Sequence, residues 1–394
     1  MQPIRNLPSS ILVLGFVSML MDISSEMVHS LLPMFLVTTM GASVFVVGLI
    51  EGIAESTSLV VKVFSGAWSD YLGQRKGLTV AGYALSASTK LLFPIATSVP
   101  LVLGARFIDR IGKGVRDAPR DALIVDITPA DMRGAAFGLR QSLDTVGAFL
   151  GPLFAMALML LWMNDFRTVF WVATLPAFIA LLLLVFAVQE KNRGPHMPLE
   201  NPLAFKNIRY LDKRYASVVV MGVLLGFARF SEVFLVLRAF DSGIAMALVP
   251  LVMVLMNVVY AASAYPLGKL SDRMGHTALL MLGLVLLFLA DLCLAAGTQW
   301  FYVMGGVALW GLHLGMTQGL MASMVASAAP ENLRGTAYGF FNLMLGAAML
   351  VSSTLAGWVW DQWGASYAFY LSALWCVLGW LYLVLRKINQ PPSA

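Results

Sequence analysis

Twelve apolar runs, each long enough to cross a bilayer as a helix, divide this chain, and few folds can accommodate them. Spanning the hydrocarbon core takes about 20 mostly apolar residues. The runs lie at roughly 10–37, 43–69, 77–97, 99–126, 134–160 and 166–188, then 215–239, 243–270, 277–297, 300–328, 335–359 and 364–385. Between the sixth and the seventh, Gln189 to Arg214 is the longest polar stretch, rich in Pro, Asn and basic residues. It predicts a linker at 189–214 between two six-helix bundles, 1–188 and 215–394. Charged residues are only 12% of the 394 and hydrophobic ones 59%, against about 25% and 45–50% in soluble domains. So little charge cannot coat a soluble enzyme, and so apolar a chain is not disordered. The expected class is an all-α integral membrane protein of twelve transmembrane helices.

The formal charge of +5 would suggest nucleic acid in a soluble protein. Here it has another cause, because Lys and Arg collect in the cytoplasmic loops of membrane proteins. With both termini in the cytoplasm, fifteen basic residues of loops and ends fall inside and only Arg167 and Arg238 outside. That orientation is expected, in a cell membrane (inner or plasma), with no nucleic-acid partner. Cys293 and Cys376 sit inside apolar runs and suggest neither a disulfide framework nor a zinc site; no metal or cofactor is expected. Met1 to Pro8 is short and polar, and no small-residue cleavage site follows the first run, which reads as a retained helix.

Two segments recur at one offset. Gly66-Ala-Trp-Ser-Asp70-Tyr-Leu-Gly73-Gln-Arg75 returns 202 residues later as Gly268-Lys-Leu-Ser-Asp272-Arg-Met-Gly275-His276. Pro129-Ala-Asp-Met-Arg133-Gly134 returns 201 residues later as Pro330-Glu-Asn-Leu-Arg334-Gly335. The first pair follows runs 2 and 8, the second follows runs 4 and 10. The chain is therefore a duplicated six-helix unit, its halves parallel because six spans return the chain to the same side.

With these residues in view, Gly66-x-x-x-Asp70-x-x-Gly73-x-Arg75-Lys76 resembles the signature loop of the major facilitator superfamily. Gly147-Ala-Phe-Leu-Gly151-Pro152 in run 5 resembles a motif of its proton-coupled exporters, notably the drug:proton antiporters. The resemblance covers the whole chain in topology, repeat and central loop. Tyr71 stands where the family often carries Arg, and the second copy of the loop ends in His276 rather than a basic pair. The resemblance implies two parallel repeats around a central cavity that is lined by spans 1, 4, 7 and 10 and opens to either side as the halves rock. It implies a gating role for Gly66, Asp70, Gly73, Arg75, Lys76 and Asp272, the alternative being a surface turn with topogenic charges. In span 5, Gly147, Gly151 and Pro152 allow a close helix crossing and a bend.

Charge inside a span costs at least about 2.5–3.5 kcal/mol at the bilayer centre, so each such residue is a functional candidate. Asp22 and Glu26 lie one turn apart in span 1, with Ser18 and His29 on the same face. Glu51, Glu55 and Lys62 share a stripe of span 2. Span 4 carries Arg106, Asp109, Arg110, Lys113, Arg116, Asp117, Arg120 and Asp121; span 5 carries Arg140 and Asp144; span 7 carries Arg229 and Glu232. Spans 3 and 9 have one each, Lys90 and Asp291, and span 10 has His313 and Gln318. We expect Asp22 and Glu26 to hold protons or a cationic substrate, with Arg110 and Arg106 as partners. Glu51, Glu55 and Asp144 rank next. The alternative is a permanent ion-pair network that fixes helix register. His313 fits a titrating group or, more simply, a hydrogen-bonding one.

The leading expectation is a secondary active transporter working by alternating access, a proton-coupled exporter of small organic molecules. Its runner-up is uptake or exchange of an organic anion, suggested by the cations of span 4. A membrane-embedded enzyme is the reading from another class, and it lacks support: there is no HExxH, no Gly-x-Ser-x-Gly and no Walker loop. The expected partners are a small-molecule substrate, protons or Na⁺, and the lipid bilayer, with the chain acting as a monomer.

Overall fold

The computed structural model describes residues 8–72, 75–190, 211–330 and 333–386, without the side chains at 70, 72, 130, 271–273 and 386. Asp70, Gly73 and Asp272 of the expected gate, and most of the 189–214 linker, fall outside what is described. Each of the twelve runs is helical: α1 Ser9–His29, α2 Val44–Leu72, α3 Arg75–Lys90, α4 Val99–Ile127, α5 Arg133–Leu161, α6 Phe166–Ala187, α7 Lys213–Ala228, α8 Leu251–Met274, α9 His276–Ala296, α10 Trp300–Ala328, α11 Arg334–Trp363 and α12 Ala365–Arg386. Ten of these spans are long and apolar enough to cross a membrane by composition alone; α4 and α10 are not among them. These two hold the same place in the two repeats.

Among the described residues three spans are split into two α-helical segments, and two of these interruptions have an evident cause. Proline lacks an N–H and its ring clashes with the carbonyl four residues earlier. Pro33 faces His29 in this way, and α1 stops there before span 1 resumes as Leu32–Met34 and a π-helical turn at Phe35–Thr39. Pro94 faces Lys90, where α3 stops before resuming at Leu92–Ile95. Span 7 contains no proline, yet it breaks over Arg229–Glu232 and resumes at Val233–Asp241. The break lies inside the apolar run at 215–239. The break is held by tertiary hydrogen bonds: the Ser231 N–H donates to Ser353 Oγ of α11 at 3.1 Å, and the Ser372 hydroxyl of α12 donates to the Ala228 carbonyl. Ser30 and Leu31, at the break in span 1, lie 201 residues before Ser231 and Glu232. The duplicated sequence therefore breaks its first span at one place twice, once by proline and once by tertiary bonding.

The described residues fall into two compact units, Met1–Phe35 with Thr57–Pro202, and Leu36–Ser56 with Leu203–Ala394. The start of α2 thus belongs to the second unit, where Asp361 of α11 accepts from the Val44 and Phe45 N–H groups at 3.0 and 2.9 Å. In the first unit α1 packs on α5 and α6, and α3 on α4 and α6; in the second, α7 packs on α11 and α12, and α9 on α10 and α12. The same four pairings recur one repeat apart, so the duplication read from the sequence is also a duplication of packing. Leu14, Val17, Met21, Leu123, Ile124 and Leu184 centre one apolar core; Met221, Leu225, Leu280, Leu284, Leu320 and Phe341 centre the other.

Candidate functional site

In the first unit the charges of α4 form a ladder whose rungs attach to different helices. At its start Asp109 accepts from Lys90 Nζ of α3 at 3.1 Å, and Arg106 Nη1 lies 3.9 Å from the same carboxylate. Lys90, Arg106 and Asp109 are all buried. Burying ions is compensated only by close pairing and further hydrogen bonds, and this group supplies both. Two turns on, Arg116 lies 4.7 Å over the Tyr83 ring and donates to Ser86 Oγ at 2.7 Å. Arg120 donates to Ser18 Oγ of α1 at 3.1 Å and lies 3.2 Å from Asp121 and 3.7 Å from Asp117. Arg140 of α5 spans Asp144 at 2.9 Å and Asp121 at 3.7 Å.

Asp22 and Glu26 face this ladder from α1. His29 Nδ1 is 3.6 Å from Glu26 Oε2, and Lys113 and Arg110 also act electrostatically on Glu26. Asp22 feels Lys113, Arg116 and Arg120, and also a second carboxylate, Asp144. Arg106 is committed on the α3 side, so the cations that act on α1 come from lower on α4. Lys113, which sequence reasoning ranked below Arg106, acts on both carboxylates. Its spacing from Arg106, two helical turns on, was visible; which of the two neighbouring helices each would meet was not.

The glycines of α5 lie against the same carboxylates. A Cβ on Gly147 would come within 2.9 Å of Asp22 Cβ and 2.7 Å of the Met19 carbonyl; one on Gly151 would come within 2.6 Å of Glu26 Cβ. The Gly-x-x-x-Gly spacing thus lets α1 and α5 approach backbone to backbone, as small residues do in membranes, and it does so at the two acids. Pro152 follows inside the same helix.

The loop that carries the expected gate binds within its own unit. Arg75 is buried, its Nη1 donates to Ser69 at 2.9 Å, and its Nε is 3.5 Å from Asp126. The Arg75 and Lys76 N–H groups donate to the Glu190 carboxylate at 2.7 and 3.2 Å, and Lys76 Nζ donates to the Val185 carbonyl at 2.8 Å. Gly66 faces Ala118 of α4, with room for a Cβ at 3.4 Å.

The second unit gathers the remaining candidates around the break in span 7. Glu232, Glu55 of α2 and Tyr260 of α8 act electrostatically on Arg229. Glu51 is buried one turn before Glu55. His313 is fully buried, with Nδ1 2.8 Å from the Gly283 carbonyl and Nε2 3.3 Å from Thr317 Oγ1, the bonding of a histidine that ties α10 to α9. Nearby, a cavity of about 370 Å³ is lined by Tyr260, Gly268, His276, Met316, Gln318 and Gly319, among others. That volume lies within the range of small-molecule sites, roughly 300–1,000 Å³. Among the described residues no group of three or more His, Cys, Asp or Glu could hold a metal ion.

A duplicated bundle of twelve membrane helices, with most of its intramembrane charge gathered on α4 and the helices packed against it, is the architecture of a polytopic transporter. The family model of the Major Facilitator Superfamily matches residues 14–240 and 218–394, and the chain belongs to that superfamily. It is 31% identical over 363 residues to an MFS-type transporter of Methanocaldococcus jannaschii, covering 90% of this chain and 89% of that one. It is 25% identical over 390 residues to the multidrug resistance protein MdtH of Photorhabdus laumondii, covering 95% and 93%. Among solved structures, a POT family transporter in complex with 5-aminolevulinic acid superposes with a TM-score of 0.82 at 14% identity, covering 99% and 98%. That likeness concerns the fold. The resemblance to drug:proton antiporter-like members of the superfamily, read from the loop and from span 5, agrees with these relatives.

Proposed function

We propose that the chain exports small organic molecules across a cell membrane in exchange for protons, by alternating access and with both termini in the cytoplasm. The observation that carries the reading is the approach of Asp22 and Asp144 from α1 and α5 beside the cations of α4. Two carboxyl groups in electrostatic contact repel one another when both are ionised, and nearby cations offset that repulsion. A group so placed changes its hold on a proton when a helix shift alters which cation faces it. Gly147 and Gly151 put the α1–α5 crossing, where such a shift would act, directly against Asp22 and Glu26. The multidrug resistance relative supports efflux as the direction. The cavity beside α10 supplies an apolar and weakly polar wall, with Met316, Tyr260 and Gln318, suited to uncharged or cationic organic molecules.

A second reading, exchange of an organic anion, draws on the excess of buried cations around Asp109, where Lys90, Arg106 and Arg110 meet one carboxylate. One experiment separates the two. Purified protein in weakly buffered detergent is titrated with cationic, neutral and anionic compounds while proton release is followed, beside Asp22→Asn, Glu26→Gln and Asp144→Asn. Export by antiport requires release provoked by cationic or neutral compounds and lost in Asp22→Asn or Asp144→Asn. Binding without release in the wild type would sink the proton-coupled reading, and binding of anions alone would favour the second. Repeating the titration with and without Na⁺ tests the coupling ion.

A further inference from the structure

Asp291 is a buried acid that the proposed transport site leaves unused. It lies in α9, is fully buried, and belongs to the second unit with everything it touches. Its Oδ2 is 2.6 Å from Ser372 Oγ and 3.7 Å from Cys376 Sγ, both on α12. Its Oδ1 has no hydrogen-bond partner among the described residues. The same Ser372 hydroxyl also contacts the carbonyl of Ala228, the residue that closes α7 at the break in span 7.

Among the described residues, no cation acts on it. From α12, Ser372 and Cys376 contact Asp291. From α10 the titratable group packed on α9 is His313, bonded at Gly283, two turns away. From the resumed half of span 7, Arg238 donates to the Leu294, Ala295 and Gly297 carbonyls beyond Asp291 and pairs with Asp241 at 2.6 Å. Among the described residues, no titratable group of α8 acts on Asp291.

Counting hydrogens decides what this arrangement holds. A serine hydroxyl has one hydrogen, and a carbonyl oxygen can only accept. If Ser372 donates to Ala228, then Asp291 must supply its own hydrogen, its Oδ2–H donating to Ser372 Oγ. If Asp291 is ionised, both of its oxygens can only accept, and the single serine hydrogen must choose. The carboxylate is the stronger acceptor, so Ser372 turns to it and the Ala228 carbonyl is released. That carbonyl is the last of α7, one residue before Arg229.

We propose that Asp291 is a proton-binding site whose proton, through Ser372, latches the break in span 7. Proton loss breaks the Asp291 O–H bond, gives the proton to water, and moves one hydrogen bond from Ala228 to the carboxylate. The Arg229–Glu232 segment is then free to rearrange. Asp291 is thus a positioning residue for span 7. Its use in transport rests on the proton-coupled reading, but its test needs no substrate.

The test is hydrogen–deuterium exchange of the full-length protein in nanodiscs across about pH 5 to 9, reported as protection corrected for the intrinsic pH dependence of exchange. In the wild type, protection of residues 228–235 falls about tenfold per pH unit above the titration of Asp291, while that of α10 is unchanged. Asn at 291 donates to Ser372 as the acid does, so Asp291→Asn keeps high protection at every pH. Ser372→Ala has low protection at every pH. A flat wild-type profile would overturn the proposal, as would a wild-type pH dependence surviving in Ser372→Ala, which keeps the acid and removes only the relay. Isotope-edited infrared spectroscopy gives an independent readout: a protonated carboxyl band that Asp291→Asn abolishes and Ser372→Ala shifts. Failure of substrate-driven proton release at Asp22 or Asp144 would leave both results standing, so the two readings fail separately.

Discussion

The fourth and tenth spans hold the same place in the two repeats and solve one problem in opposite ways. Neither α4 nor α10 is among the ten spans that composition alone marks as apolar enough to cross a membrane, and each carries buried polar groups. α4 does this with charge: nine ionisable residues, most at three- and four-residue steps, paired with Lys90, Arg75, Arg140, Ser18, Ser86 and one another. α10 has no Asp, Glu, Lys or Arg, and relies on His313 and Thr317 bonded inward and on five glycines. Under the proposed function the difference divides work between the halves. A charged ladder can exchange partners as protons come and go, whereas a neutral, small-residue face leaves room for an organic molecule. The cavity of about 370 Å³ lies beside α10.

The largest expected break in this comparison is at the first rung of the ladder. Asp109→Ala strands Lys90 and Arg106 without their carboxylate, and removing one partner of a buried pair costs about 3–5 kcal/mol. The variant is expected to melt far below the wild type by fluorescence-detected size exclusion, and Lys90→Met with Asp109→Leu to recover much of the loss. If Asp109→Ala melts like the wild type, the pair carries no stability and the contrast with α10 fails at its strongest point.

The counterpart in α10 is about function rather than stability. A Cβ on Gly319 meets nothing within 4 Å, whereas one on Gly315 would come within 2.2 Å of Ser263 Oγ. Gly319→Leu should therefore fold, gaining some helix propensity, and fill the cavity that it lines. Binding of any compound that occupies the cavity should weaken tenfold or more, about 1.4 kcal/mol, in a tryptophan-quenching titration. Unchanged affinity would move the binding region away from α10.

His313→Leu sharpens the same contrast at a smaller scale. It removes the donor to the buried Gly283 carbonyl, a loss of about 1–3 kcal/mol, and should lower the melting temperature while leaving the pH profile of proton release unchanged. A shifted profile would return His313 to the coupling machinery.

The smallest effects are expected where the units are alike. Asp165 caps α6 by accepting from the Arg167 and Thr168 N–H groups, and Asp212 caps α7 by accepting from those of Arg214 and Tyr215. Replacing either by Ala should cost about 1 kcal/mol, read as a small drop in melting temperature. The Thr168 hydroxyl and the backbone amides hold the Asp165 carboxyl below its ordinary range. A group depressed on folding stabilises the protein above its unfolded pKa, near 3.9, and loses that contribution as pH falls through the folded value. The difference between wild type and Asp165→Ala should thus be constant at neutral pH and shrink only in acid.

Much of this molecule is legible in its sequence. Span number and the duplication follow from apolar length and two loop repeats, because lipid permits almost nothing but helices of fixed length, and the family follows from the resemblance of the Gly66–Lys76 loop to its signature. That Asp22 and Glu26 need a partner or a wet environment is legible too, since charge in hydrocarbon demands a reason. Two of the three interruptions could have been read from Pro33 and Pro94. What the sequence withheld was which helix each charge would meet. Arg106 and Lys113 share a helix two turns apart, yet one acts on α3 and the other on α1, because the crossing geometry of three helices decides which face meets which neighbour. The break in span 7 has no local signal, since it is held by Ser353 and Ser372, residues more than a hundred positions away. Composition and periodicity report what a segment does against its solvent, whether lipid or water. Pairing inside the bundle is decided by contacts distant in sequence, and only the tertiary structure brings those residues within hydrogen-bonding distance.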